Sequence, residues 1–351
     1  MPTNPAPTRY HTLDGIRGIA ALLVAAYHFS YQFGSPPFPG FLAVDLFFVL
    51  SGFVIALNYE GRLAAGLSAA AFMRLRVMRL YPLYLVGWAI GFAKLAARTA
   101  ASADGAMPAA MLAKAALLNG LVLPIFGGQE LFPINGPGWS LFFEFAINLA
   151  FALVLFRLRR AALVAISAVA LATLGWLVVP PELFNMGWND ATFAGGVART
   201  VFSFCVGILI CRNAATNPQR AVTWLCLLPV AGAVLAIALR IHGPAAFWRE
   251  WSVVAFAFPA IVWFGVRWET PPPLRHAFDG LGALSYPVYI IHIPMIFAGR
   301  IALQTLHLPP PLALAAYLAI VVTVAAPLVL LDRRVARFLR GRPAASAPQA
   351  T

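Results

Sequence analysis

The sequence predicts an all-α polytopic membrane protein with about ten transmembrane helices and both termini in the cytoplasm. Three observations carry that reading. Of the 351 residues, 61% are hydrophobic and only 11% are charged, where a soluble chain averages about a quarter charged. Mean hydropathy is +0.82. The apolar residues also gather in stretches of the length a bilayer requires, roughly 20 residues each. A net charge of +13 would suggest nucleic acid in a polar chain. Here the basic residues form short runs between apolar stretches, the pattern of cytoplasmic loops. A soluble enzyme, a disordered chain and a nucleic-acid binder are thereby excluded, and the lipid bilayer is the expected partner.

The first span, 16–33, holds Tyr27 and His28 and has no Ala-x-Ala cleavage site, so it reads as a retained helix and not a signal peptide. The second, 41–58, is apolar apart from Asp45, Ser51 and the terminal Asn58. The third, 81–97, follows the basic group Arg74, Arg76 and Arg79. Residues 107–124 are interrupted by Lys114, Asn119 and Gly120 and are expected not to cross. Seven further spans follow at 139–156, 161–179, 195–211, 221–239, 251–267, 281–299 and 311–331. With this count Arg62, Arg74, Arg76, Arg79, Arg157, Arg159, Arg160, Arg212, Arg220, Arg267, Arg275 and the tail arginines face the cytoplasm. The other side receives Lys94, Arg98, Lys114, Arg240, Arg249 and Arg300. Were 107–124 to cross, every later cluster would invert against the positive-inside rule. Residues 1–341 read as one transmembrane domain, and the Pro/Ala/Ser-rich 342–351 as a disordered tail. Cys205, Cys211 and Cys226 show no metal-ligand spacing and read as buried small hydrophobes; no metal is expected.

Charged groups at membrane depth are costly and mark function. Here they are Arg17, His28, Asp45, Glu144 and His292, with Arg199 a weaker member near a helix start. Arg17 and His28 are eleven residues apart, so at about 100° and 1.5 Å per residue they share a helix face about 16 Å apart. Counted from the helix ends, His28, Asp45, Glu144 and His292 fall in one layer toward the outer side. An unpaired carboxylate there is unfavourable, so pairing with a histidine is expected, and a histidine–carboxylate pair is a general base. Ser140 and Glu144 are spaced i,i+4, and Ser285, Tyr289 and His292 form a polar stripe. That stripe alone would serve interhelical hydrogen bonding. Arg74, Arg76 and Arg79 satisfy topology without further function, but arginine forks also match phosphate oxygens.

The run Leu13-Asp14-Gly15-Ile16-Arg17-Gly18, ending in Tyr27-His28, resembles the opening of the membrane acyltransferase-3 family, the O-antigen acetylase-like acyltransferases, whose signature is Arg-x10-His. In order there follow Asp45 through Ser51-Gly52-Phe53, Arg76-Val-Met-Arg79-Leu-Tyr-Pro82, Trp139-Ser140 through Glu144, and Ser285-Tyr286 through Tyr289 to His292. Five ordered motifs across most of the chain are specific where each alone is weak.

The resemblance implies an enzyme of the bacterial inner membrane that takes an acyl group, usually acetyl, from cytoplasmic acyl-CoA to an acceptor. The acceptor is typically a sugar hydroxyl on an envelope glycan, a glycolipid or a small natural product. It implies that His28 and Arg17 are essential and that Arg76 and Arg79, with Arg74 beside them, serve the donor. The chain is expected to lack the SGNH hydrolase-like domain fused to some relatives. On the layout above, Asp45 or Glu144 orients His28, and Trp139, Ser140, Tyr289 or His292 holds the acceptor or the oxyanion. Which carboxylate pairs with His28 stays open, as does a covalent acyl intermediate; direct transfer is preferred because no serine sits in a nucleophile-elbow motif. The rival reading is a proton-coupled transporter or flippase using the buried histidines and carboxylates. A non-catalytic scaffold ranks third.

Overall fold

The computed structural model describes residues 9–34, 38–101, 107–178, 184–216 and 220–340; the tail expected to be disordered, 342–351, lies outside them. Among the described residues twelve α-helices carry the fold: α1 His11–Ser30, α2 Ala43–Ala64, α3 Ala69–Ala101, α4 Ala109–Gly120, α5 Gly138–Leu153, α6 Arg160–Leu177, α7 Phe193–Thr216, α8 Leu227–Ala238, α9 Ala245–Ser252, α10 Phe258–Arg267, α11 Pro272–Leu306 and α12 Pro310–Arg340. A π-helical turn, Val253–Ala257, joins α9 to α10, and the strands Ala221–Val222 and Trp268–Glu269 pair in parallel.

Among the described residues seven helical segments are long and apolar enough to cross a bilayer: 40–64, 69–101, 160–177, 193–214, 245–267, 272–297 and 310–332. Three more of the ten expected spans are helices that are shorter or more polar. These are α1, which carries Asp14, Arg17 and His28, and the short apolar α5 and α8. The doubtful stretch 107–124 holds the 12-residue α4, about 18 Å long and shorter than a bilayer core; α8 is equally short, so length alone does not separate the two. Contacts fix the relative directions. Gly15 and Gly18 of α1 meet Phe278 and Leu281 of α11, so the two run parallel. Gly52 and Glu60 of α2 meet Phe204 and Arg212 of α7 in the same sense.

Small residues let these helices approach closely, as membrane packing requires when lipid is as apolar as the side chains. A Cβ on Gly52 would stand 2.1 Å from the Phe204 carbonyl oxygen, and one on Gly207 would stand 2.2 Å from that of Val49. Gly52→Val is therefore expected to force α2 from α7 and cost about 1–3 kcal/mol or more. A thermal melt in detergent checks this, and an unchanged midpoint would contradict the contact.

Proline shapes α11. Pro294 lacks the N–H that would reach the carbonyl of Ile290. Asn135, fully buried, supplies the missing donor from its Nδ2 at 3.2 Å, as backbone groups at membrane depth must be satisfied. The segment 131–138 is thereby drawn inward under α11: Leu131, Phe132, Ile134 and Asn135 are buried. Asn119 at the end of α4 holds the same segment through the Leu131 carbonyl (3.2 Å).

Candidate functional site

α3 begins at Ala69, ahead of the start expected at 81. Arg76 and Arg79 are thus helical residues at i,i+3 and turn together into a cavity of about 280 Å³ walled by α1, α2, α3, α5, α11 and α12. Arg74, on the other side of the same turn, is exposed and lies outside the cavity. The spacing that grouped three arginines is real, but the helical repeat sends only two of them inward.

Arg17, Arg76 and Arg79 line one end of the cavity, and each meets one carboxylate. Arg17 Nη2 donates to Asp14 Oδ1 (2.8 Å), and its Nε donates to Ser285 Oγ (2.9 Å). Arg76 Nη2 reaches Glu144 Oε1 at 3.3 Å. Arg79 pairs with Asp332 of α12, an acid the sequence reading missed because it stands among the tail arginines. Glu144 Oε1 also accepts from Ser51 Oγ (2.5 Å) and Asn148 Nδ2 (3.0 Å). Arg76 Nε is buried with no hydrogen-bond partner among the described residues, a donor left for something that enters the cavity.

The far end closes at Ser140 and Tyr289. Ser140 Oγ spends its proton on the Pro137 carbonyl (3.0 Å), so the Tyr289 hydroxyl donates to Ser140 Oγ across 2.7 Å. The Tyr289 ring stands edge-on to Phe47, 5.5 Å between centroids. One turn further along α11 is His292, fully buried, and opposite it on α1 is the half-buried His28. His292 Nε2 and His28 Nδ1 are 3.1 Å apart. The expected polar stripe Ser285–Tyr289–His292 therefore does lead from the arginines to His28.

The expected pairing of His28 with a carboxylate does not form. Among the described residues no carboxylate oxygen lies within 4.0 Å of a ring nitrogen of His28 or His292. Asp45 faces away from the cavity and is held by Arg199 of α7: Nε donates to Oδ1 at 3.0 Å and Nη2 pairs with Oδ2. Arg199 is fully buried, gives its other donors to the carbonyls of Met186 (2.9 Å) and Phe41 (3.2 Å), and lies over the Trp139 ring at 5.6 Å. Trp139 thus covers this ion pair and does not line the cavity. Glu144 serves the arginine end. Depth along a helix placed four groups in one layer; the face each helix turns decided which of them meet.

Backbone carbonyls set the histidine tautomers. A carbonyl only accepts, so His28 Nδ1 donates to Val24 (3.0 Å) and His292 Nδ1 donates to Tyr289 (2.6 Å). In the neutral pair the lone pair of His292 Nε2 then faces the His28 Nδ1 proton. His28 Nε2 is left bare, with no partner among the described residues. A nitrogen in that state can accept a proton, as a general base must.

Comparison with known proteins agrees with this architecture. The acyltransferase domain family matches residues 10–330. The chain is 28% identical over 292 residues to the acyltransferase MdmB of Streptomyces mycarofaciens, covering 76% of this chain and 66% of that protein. It is 47% identical over 85 residues to protein 2 in the picA locus of Rhizobium radiobacter, covering 24% of this chain and 44% of the relative. The chain thus spans less than two thirds of either curated relative. No solved structure matches it. With the family match running from the start of α1 into α12, across every helix that walls the cavity, the chain belongs to the acyltransferase-3 family of multi-pass membrane acyltransferases.

Proposed function

We propose that the protein moves an acyl group, acetyl by default, from cytoplasmic acyl-CoA to a hydroxyl of a sugar on an envelope glycan, a glycolipid or a similar small acceptor, in the bacterial inner membrane. One observation carries the reading: a cavity with three arginines at one end, one of them holding an unpartnered buried N–H, and a bare imidazole nitrogen one helical turn beyond the other end.

Acyl-CoA is large and polyanionic and does not cross a bilayer. Its phosphates dock on Arg76, Arg79 and Arg17, where charge-assisted hydrogen bonds are strong. Along α2 the cavity runs from Ile55 to Val44, about 16 Å at 1.5 Å per residue, a path for the slim pantetheine arm. The thioester passes Tyr289 to reach His28. The acceptor hydroxyl gives its proton to His28 Nε2 as its oxygen bonds to the thioester carbonyl carbon. The C–S bond then breaks, and the thiolate takes that proton from the imidazolium. No covalent enzyme intermediate is needed. The acyltransferase family and the relative named as an acyltransferase support the reaction class.

Binding of radiolabelled acetyl-CoA to purified protein in detergent tests the donor. Arg76→Gln and Arg79→Gln are each expected to weaken it about 10- to 100-fold, the loss of one charge-assisted hydrogen bond to a phosphate. Arg74→Gln is expected to leave it unchanged. Binding that ignores Arg76 and Arg79 would remove this donor site.

A further inference from the structure

Among the described residues His28, the base of the reaction proposed above, has no carboxylate partner. We propose that His292 is the positioning residue of His28, so that a pair of neutral histidines does what a histidine–carboxylate pair does elsewhere; this rests on the reaction proposed above.

The geometry is specific. His28 Nδ1 lies 3.0 Å from the carbonyl of Val24 on its own helix and 3.1 Å from His292 Nε2 on α11. One proton is shared between a carbonyl and an imidazole lone pair. His292 is itself pinned: Nδ1 donates to the Tyr289 carbonyl at 2.6 Å, and the Tyr317 hydroxyl donates to the His292 carbonyl at 2.6 Å. Tyr317 stacks on Phe29, next to His28, with centroids 4.2 Å apart. Around the two rings stand Tyr27, edge-on to His28 at 4.9 Å, and Tyr289, 5.7 Å from His292. Both nearby acids are committed elsewhere, Asp45 to Arg199 and Glu144 to Arg76.

Membrane depth gives the arrangement its reason. A carboxylate beside His28 would be a permanent buried charge needing its own counter-ion. A second imidazole offers the same lone pair to the Nδ1 proton and carries no charge. Charge then appears only while His28 holds the acceptor's proton, when His292 Nε2 and the Val24 carbonyl both accept from the imidazolium. Val24 keeps the tautomer; His292, reaching from another helix, fixes the ring plane and so the direction of Nε2.

The test compares wild type, His292→Leu and His292→Gln in detergent, with acetyl-CoA and an envelope glycan extract as acceptor. His292→Leu is expected to lower kcat about 10- to 100-fold at unchanged donor KM. The loss is smaller than the ~10⁴-fold seen when a triad loses its tautomer, because Val24 remains. His292→Gln, whose amide oxygen can accept from His28 Nδ1, is expected to recover most of the rate. A glutamine variant as slow as leucine, or an acceptor KM that rises while kcat holds, would overturn the proposal. Nitrogen-15 NMR of the histidine rings in the wild type gives a readout independent of turnover. His28 protonated at Nδ1 and His292 bare at Nε2 is expected; the reverse assignment would overturn the pairing even if the enzyme is an acyl-CoA transferase. Active wild type with indifferent His292 variants would sink this inference alone, whereas wild type that neither binds nor turns over acetyl-CoA would sink the reaction with it.

Discussion

Replacing Arg199 by methionine is expected to destabilise the protein by about 3–5 kcal/mol, the cost of leaving one member of a buried ion pair uncompensated. Arg199 and Asp45 are both fully buried, and the guanidinium also holds the carbonyls of Met186 and Phe41. Its loss orphans the Asp45 charge and takes one hydrogen bond from each of the Met186 and Phe41 carbonyls. Asp45→Leu combined with Arg199→Met removes both charges and is expected to be more stable than Arg199→Met alone, since the Asp45 charge no longer needs a partner. Folded yield and the thermal midpoint in detergent measure both effects. An Arg199→Met protein that melts like the wild type would show that the pair is not structural. The same experiment addresses Asp45: turnover in the folded double variant would separate this acid from the chemistry.

His28→Ala is expected to have the opposite profile, with activity lost and the fold kept. The half-buried ring makes two hydrogen bonds, to Val24 and His292. Its removal leaves the Asp45–Arg199 pair, the arginine end of the cavity and the helix-packing glycines untouched. A positioned general base contributes about 10²–10⁴-fold, and the other imidazole there, His292, is held on α11 by its Nδ1 bond to the Tyr289 carbonyl and does not take the place of His28 Nε2. The initial rate of label transfer from acetyl-CoA reads the first effect and the thermal midpoint the second. Acetyl-CoA binding is expected to be unchanged, because Arg17, Arg76 and Arg79 remain.

Much of this layout was legible in the sequence. Apolar length placed the helices. The interruptions at Lys114, Asn119 and Gly120 agree with a short α4, and the 11-residue spacing puts Arg17 and His28 on one face, where both meet α11. What stayed hidden was pairing between helices. Asp45 and Arg199 stand at matching depths, each four residues inside the expected ends at 41 and 195, and that equality was the available signal. Depth, however, does not say which way a helix is turned or which helices touch. The same gap led Asp45 and Glu144 to be read as partners of His28, when one faces α7 and the other the arginines. Arg74 groups with Arg76 and Arg79 in the sequence because the apolar run of α3 begins only after them, which hides the helical phase of the three. Asp332 was masked by the basic residues around it. Nothing in the motif of Trp139 reveals the buried Arg199 cation beneath its ring, so the sequence points to an acceptor contact.

The account is tested most directly by following free CoA and labelled acceptor together, from purified wild-type protein given radiolabelled acetyl-CoA and an envelope glycan extract. The account predicts one CoA released for each acetyl ester formed, at a rate that falls with Arg76→Gln through the donor KM and with His28→Ala through kcat. Folded protein that binds no acetyl-CoA and releases none, with several acceptors supplied, would contradict it and leave the two histidines as a proton path.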